Sequence, residues 1–166
     1  MQPQNELTAA DIMQVAVKTV LPSLSLPELE EEFLAAGVGG FPVVEKARQL
    51  IGIVSRSDVI RAICSERELA SSTSDFYRDE TGFHEVKMES FKEIADRVGE
   101  RIEGMTVKDV MVTKPHRVTT SQTVVEIANL FIQHHVHRLP VVEGGDIVGI
   151  VTTMDLVRLI EQRRLK

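Results

Sequence analysis

The sequence predicts a mixed α/β (α+β) fold made of two tandem copies of one β-α-β-β-α unit, with a helical insert between them. Three observations predict it. First, the chain repeats itself. At an offset of 98 residues, ADIM (Ala10–Met13) meets KDVM (Lys108–Met111), and Pro42-Val43-Val44-Glu45 meets Pro140-Val141-Val142-Glu143. From Gly52 onward the offset is 97, which pairs Asp58 with Asp155, Arg61 with Arg158 and Ile63 with Ile160. Second, short β-branched runs recur in each copy. Third, a Ser or Thr repeatedly stands three residues before an Asp or Glu, just ahead of an apolar stripe, as a capping box requires.

Taken in order, Thr8-x-x-Asp11 and Thr106-x-x-Asp109 read as capped single helical turns. Short strands are expected around Val17–Val20 and His116–Val118. Ser25-x-x-Glu28 and Thr123-x-x-Glu126 then cap helices whose apolar residues follow helical spacing: Leu26, Leu29, Phe33, Leu34 and Val124, Ile127, Phe131, Ile132. Gly37 ends the first of them. FPVV and LPVV read as strands with Pro at their start. Leu50–Val54 and Ile147–Val151 follow as strands after hairpin turns, and Gly144-Gly145 suits such a turn. Ser55-x-x-Asp58 and Thr152-x-x-Asp155 open the last helix of each copy. A copy of about 55 residues buries too little surface to stand comfortably alone, so two copies sharing one core are expected. The boundaries are 7–65 for the first copy, 66–104 for the insert and 105–164 for the second.

Within the insert, SSTSD (Ser71–Asp75) and FYRDETGFHE read as an irregular acidic loop. Met88, Phe91, Ile94, Ala95, Val98 and Ile102 then form a helical stripe. At 43% hydrophobic and 4% aromatic residues, the core is expected to be aliphatic. A net charge of −6 argues against non-specific nucleic-acid binding. No uncharged run approaches the length of a membrane span. Nothing near the start has the charged-then-apolar pattern of a signal peptide. A lone Cys64, expected to be partly buried, excludes an intramolecular disulfide. The expectation is a reduced, cytoplasmic, soluble protein.

ADIM with GGFPVV and GIVSRSD, then KDVM with HRLPVV and GIVTTMD, resemble the CBS domain family, named after cystathionine β-synthase. The resemblance covers Leu7 to Ile63 and Met105 to Ile160. It implies two repeats packed through their sheets about a pseudo-twofold axis, with a cleft for adenosine-containing ligands, and a regulatory module that pairs into a homodimer.

The resemblance also implies site residues. The ribose-binding aspartate maps onto Asp58 and Asp155, whose carboxylates can accept hydrogen bonds from both ribose hydroxyls. The hydroxyls three and one residues before it map onto Ser55 and Ser57 in the first copy. The second copy keeps Thr152 but has Met154 in the other place. His137 and Arg138 map onto phosphate-binding positions, where copy one has Gly39-Gly40. Lys18 and His116 fall where the family meets adenine through backbone. Beside these roles stands a structural one, because Ser55/Asp58 and Thr152/Asp155 also serve as capping boxes without any ligand. His134, His135 and His137 have no Cys or acidic partner at fitting spacing, so no metal site is expected. Arg158, Arg163, Arg164 and Lys166 read as charges offsetting the dipole of the last helix.

The resulting expectation is a regulatory module, not an enzyme. It binds an adenine nucleotide (AMP, ADP or ATP) as a metabolite or energy sensor and acts on an unknown regulated protein. If one site is functional, it is the one containing Asp58. The alternative is a structural or protein-interaction module with no bound nucleotide, its insert serving as the partner surface.

Overall fold

The structure, a computed structural model, describes residues 6–75 and 91–162. In chain order, α1 is Ala9–Ile12, α2 Leu26–Ala36, β1 Gly40–Glu45, β2 Gln49–Ser55, α3 Arg56–Asp75, α4 Phe91–Glu103, α5 Val107–Val110 and β3 Val112–Thr113. The second copy continues with α6 Val124–His134, β4 Arg138–Glu143, β5 Asp146–Thr152 and α7 Thr153–Glu161. The sheet runs β1-β2-β5-β4, with β3 against β2, and so reads symmetrically between the copies. β4 and β5 pair antiparallel, Arg138 opposite Thr152, with a bulge between Val141 and Val142.

Burial follows the repeat. β2 and β5 alternate buried and half-buried residues, whereas β1 and β4 are buried on both faces. Pro42 and Pro140 sit inside β1 and β4 rather than at their starts. This is tolerated because these are edge strands, and on the outer side the prolines only accept. Their carbonyls take the Val20 and Val118 amides, each at 3.0 Å. The strands expected at 17–20 and 116–118 are reduced to single parallel bridges, Val20 with Val43 and Val118 with Val141. The helix ends are as the residues dictate. Gly37 caps α2 at φ 63°, and His135 adopts the same left-handed conformation after α6. Gly144 and Gly145 turn β4 into β5 at φ 59° and 97°. The longer turn of copy one bends at Lys46 and Ala47.

The described chain forms two compact units. The first joins residues up to Thr19, Val44–Gly52 and the chain from Lys114 on; the second joins Val20–Val43 and Ile53–Thr113. In the first, Ala9 of α1 is fully buried with Val118, Ile127, Phe131, Leu139, Val141 and Val151. Its amide bonds the Gln122 carbonyl at 2.8 Å, and the Val124 amide bonds the Leu7 carbonyl at 2.8 Å. In the second, the Val107 amide bonds the Leu24 carbonyl at 2.8 Å, and the Leu26 amide bonds the Met105 carbonyl at 3.1 Å. The leading turn of each copy therefore packs at the start of the long helix of the other copy.

The loop expected at 71–75 is helical, because α3 continues through Asp75. α3 packs on α4, where buried Glu66 faces Arg101 at 2.9 Å and Val98 is buried. FYRDETGFHE and Met88 of the expected insert lie outside the described residues. No described helix is long and apolar enough to cross a membrane.

Candidate functional site

Two strand-to-helix junctions hold most of the side chains singled out above, and they are built alike. β2 delivers Ser55, and β5 delivers Thr152, to the position before a helix. The carboxylate three residues on then folds back. Asp58 Oδ2 accepts the Ser55 N–H at 2.8 Å and its hydroxyl at 2.6 Å. Asp155 Oδ2 accepts the Thr152 N–H and hydroxyl, both at 2.7 Å. On the other oxygen, Arg61 donates to Asp58 and Arg158 to Asp155, each at 2.9 Å. Both carboxylates are buried, at 7% and 5% exposure, which a charged group tolerates only when it is well paired. Arg158, expected to offset the dipole of the last helix, stands in the last turn of α7, and its side chain also pairs with Asp155. Arg163, Arg164 and Lys166 lie outside the described residues.

The junctions differ in one donor. Gln14, from the segment after α1, gives its side-chain amide to Asp155, at 3.0 Å to Oδ1 and 3.3 Å to Oδ2. An ionised carboxylate offers about four acceptor positions. At Asp155 they are filled by Thr152, Arg158 and Gln14. At Asp58 the described residues use three, Ser55 two and Arg61 one. The residue that the 98-residue offset matches to Gln14 is Val112, which has nothing to donate.

Around Asp155, the register of β4 and β5 sets Arg138 opposite Thr152, and the Thr153 amide bonds the His137 carbonyl at 3.1 Å. Thr152, Asp155, His137 and Arg138 are thus brought to one end of the β4–β5 pair. Arg138 is half-buried, and burial lowers its guanidinium pKa from the ordinary value. Met154 stands exposed on the first turn of α7. Around Asp58, the Arg56 amide bonds the Gly39 carbonyl at 3.2 Å. Its guanidinium lies over the Phe33 ring, 5.6 Å from the centroid. Ser57 is exposed on the first turn of α3, free of the box that engages Ser55.

Lys18 and His116 complete the expected set. Lys18 lines a cleft of about 540 Å³ with the rest of residues 15–19, Ala47, Arg48 and Ile147. A neighbouring space of about 430 Å³ shares Val15, Arg48 and Ile147. Neither is lined by the aspartates of the two junctions. His116 stacks on His134, centroids 3.7 Å apart and planes 17° from parallel. Cys64, expected to be partly buried, is exposed. Among the described residues no group of three or more His, Cys, Asp or Glu side chains is placed to hold a metal ion.

Sequence reasoning missed Gln14 and the pairing role of Arg61 and Arg158. The arginines carried a signal, since each stands three residues after its aspartate and the two match at the repeat offset. Gln14 carried none, because it lies 141 positions from its partner.

The family model for the CBS domain matches this chain twice, at residues 9–65 and 107–162. Protein MJ1225 of Methanocaldococcus jannaschii is 28% identical over 150 residues, covering 90% of this chain and 41% of that protein. The chloroplastic CBS domain-containing protein CBSX2 of Arabidopsis thaliana is 28% identical over 140 residues, 84% of this chain and 56% of that one. The chain thus spans about half the length of these relatives. The crystal structure of CBSX2 in complex with AMP superposes with a TM-score of 0.68 at 26% identity, covering 96% of this chain and 99% of that one. The CBS domain pair of MJ0100, in complex with 5′-methylthioadenosine and S-adenosyl-L-methionine, shares the fold, with a TM-score of 0.64 at 18% identity over 95% of this chain and 98% of that one.

Proposed function

The chain belongs to the CBS domain family, and on that premise we propose that it is a regulatory module that binds an adenosine-containing ligand, an adenine nucleotide such as AMP, ADP or ATP, at its strand-to-helix junctions. One observation carries the reading. Among the described residues, the buried Asp58 carboxylate keeps one of about four acceptor positions beyond its bonds to Ser55 and Arg61, and Ser57, one residue before it, is exposed. A carboxylate so placed suits a ribose hydroxyl. The amide groups opening a helix, together with Ser55 and Ser57, suit a phosphate. Thr152, Asp155, His137 and Arg138 form the second set. Lys18 and His116 belong to the segments assigned to adenine through backbone. The complex of CBSX2 with AMP supports the ligand class.

Regulation follows from linkage. A ligand that prefers one arrangement of the molecule shifts the population toward it by its differential affinity. A homodimer fits the exposed Ile60 and, at its repeat-equivalent position, the exposed Val157. The regulated protein would read that population. The test is a thermal-shift series on nucleotide-free protein with AMP, ADP, ATP, S-adenosylmethionine and NAD. A binding ligand at a hundred times its dissociation constant stabilises by about 2.7 kcal/mol, and Asp58→Ala abolishes the shift. No shift with any of the five overturns the reading.

A second reading is favoured by the hydrogen bonds themselves, which account for both carboxylates as caps. In an interaction module with empty sites, Asp58→Ala costs about 0.5–2 kcal/mol of helix capping and changes no binding.

A further inference from the structure

We propose that Gln14 occupies the second junction in place of a ribose, so that the chain takes up one adenosyl ligand, at Asp58, and not two. This rests on the reading of both junctions as ligand sites. A ribose diol would present two donors to one carboxylate. The single Gln14 Nε2 already spans both oxygens, at 3.0 Å to Oδ1 and 3.3 Å to Oδ2. With the Thr152 amide and hydroxyl and the Arg158 guanidinium also bound, Asp155 has no acceptor left for a hydroxyl. A ligand there must displace the amide rather than add to it.

Gln14 is also pinned. Its N–H bonds the Ile150 carbonyl at 2.9 Å, and its carbonyl accepts the Ile150 N–H at 3.0 Å. Both residues belong to the same compact unit. A donor tethered in this way competes at high effective concentration, which a free ligand has to overcome. Among the described residues the first copy has no such competitor. Val112 stands at the matching position, and among the described residues Asp58 is bound by Ser55 and Arg61. The duplication has thus left one junction open and fitted the other with an internal substitute. Met154 in the second copy, where the first has Ser57, agrees with a junction that holds no phosphate.

The experiment is the binding stoichiometry of AMP, ATP and S-adenosylmethionine to nucleotide-free full chain, by calorimetry and equilibrium dialysis. The variants are Asp58→Ala, Asp155→Ala, Gln14→Val, and Gln14→Val with Asp155→Ala. Gln14 is exposed, so its replacement leaves the core intact; Gln14→Thr serves as a second opening variant, and melting curves check the fold of each. The expected result is one equivalent per chain, lost in Asp58→Ala and kept in Asp155→Ala. Gln14→Val then takes two, the second lost again with Asp155→Ala. Two equivalents in the unaltered chain, a single equivalent lost in Asp155→Ala, or an unchanged single equivalent in both folded Gln14 variants overturns the inference while the ligand-binding reading stands. No uptake by any variant overturns that reading and the inference with it.

Discussion

Met13 and Gly149 fit together only because Gly149 has no side chain: a Cβ there would run into the Met13 sulfur and lie 2.9 Å from its Cγ. Met13 packs on the core of the second copy immediately before Gln14, so the contact also sets where Gln14 begins. Gly149→Ala is expected to cost about 1–3 kcal/mol through overpacking. Combined with Met13→Ala the cost falls below the sum of the two, because the clash is removed. Urea denaturation of the four proteins of this cycle measures it.

Phe33 and Phe41 stack, centroids 5.2 Å apart and planes 11° from parallel, and both are buried. The matching pair in the second copy is Phe131 and Leu139, with one ring only. Phe33→Ala should lose about 3–5 kcal/mol. A double-mutant cycle on the two rings should show coupling of about 0.5–1.5 kcal/mol beyond area burial. The same cycle on Phe131 and Leu139 should show less.

Glu66 is buried, but its partner Arg101 is largely exposed, and the pair is close without being aligned as a hydrogen bond. The two truncations are therefore unequal. Arg101→Ala strands a buried carboxylate and should cost about 1–3 kcal/mol. Glu66→Gln with Arg101→Ala should recover part of that, because a neutral amide is cheaper to bury than a charge. Guanidinium melts of the single and double variants decide it.

Acid should act on the capping boxes. The Ser25 hydroxyl, and next its N–H, hold the Glu28 carboxyl below its ordinary 4.5. The Thr106 N–H, then its hydroxyl, hold Asp109 below 3.8. A lowered folded-state pKa contributes stability that is present above the unfolded value and lost as pH falls through the folded one. Stability should therefore decline below those values, and Glu28→Gln with Asp109→Asn should flatten that limb. Both groups lie at the surface, so added salt should shrink the difference. Denaturant melts from about pH 6 down to about pH 3, at two salt concentrations, show it.

Local chemistry was the legible part. Ser25/Glu28, Thr123/Glu126 and the two Asp boxes at 58 and 155 announce helix starts because the signal is three residues long and needs no distant partner. The strands of PVVE and GIV were legible for the same reason, and doubly so because each occurs twice. The helical state of Ser71–Asp75 was not, since Ser and Thr argue against helix locally. The bridge at Val20 was over-read as a strand, because a β-branched run does not say how many of its residues find a partner. Asp58 and Asp155 were legible as a matched pair; their inequality was not, because it depends on which residue of a remote segment is delivered to each.

The exchange of leading turns bears on how such a chain arose. A molecule with one copy would carry its turn, Ala9 or Val107, without the other copy's helix on which it packs here. The exchanged seat would then come from a second molecule, as a swapped dimer whose folding depends on concentration. Fusing two copies makes the exchange internal, so the same docking becomes unimolecular. It also frees the two halves to diverge, because a residue such as Gln14 is now delivered to one half and not to both.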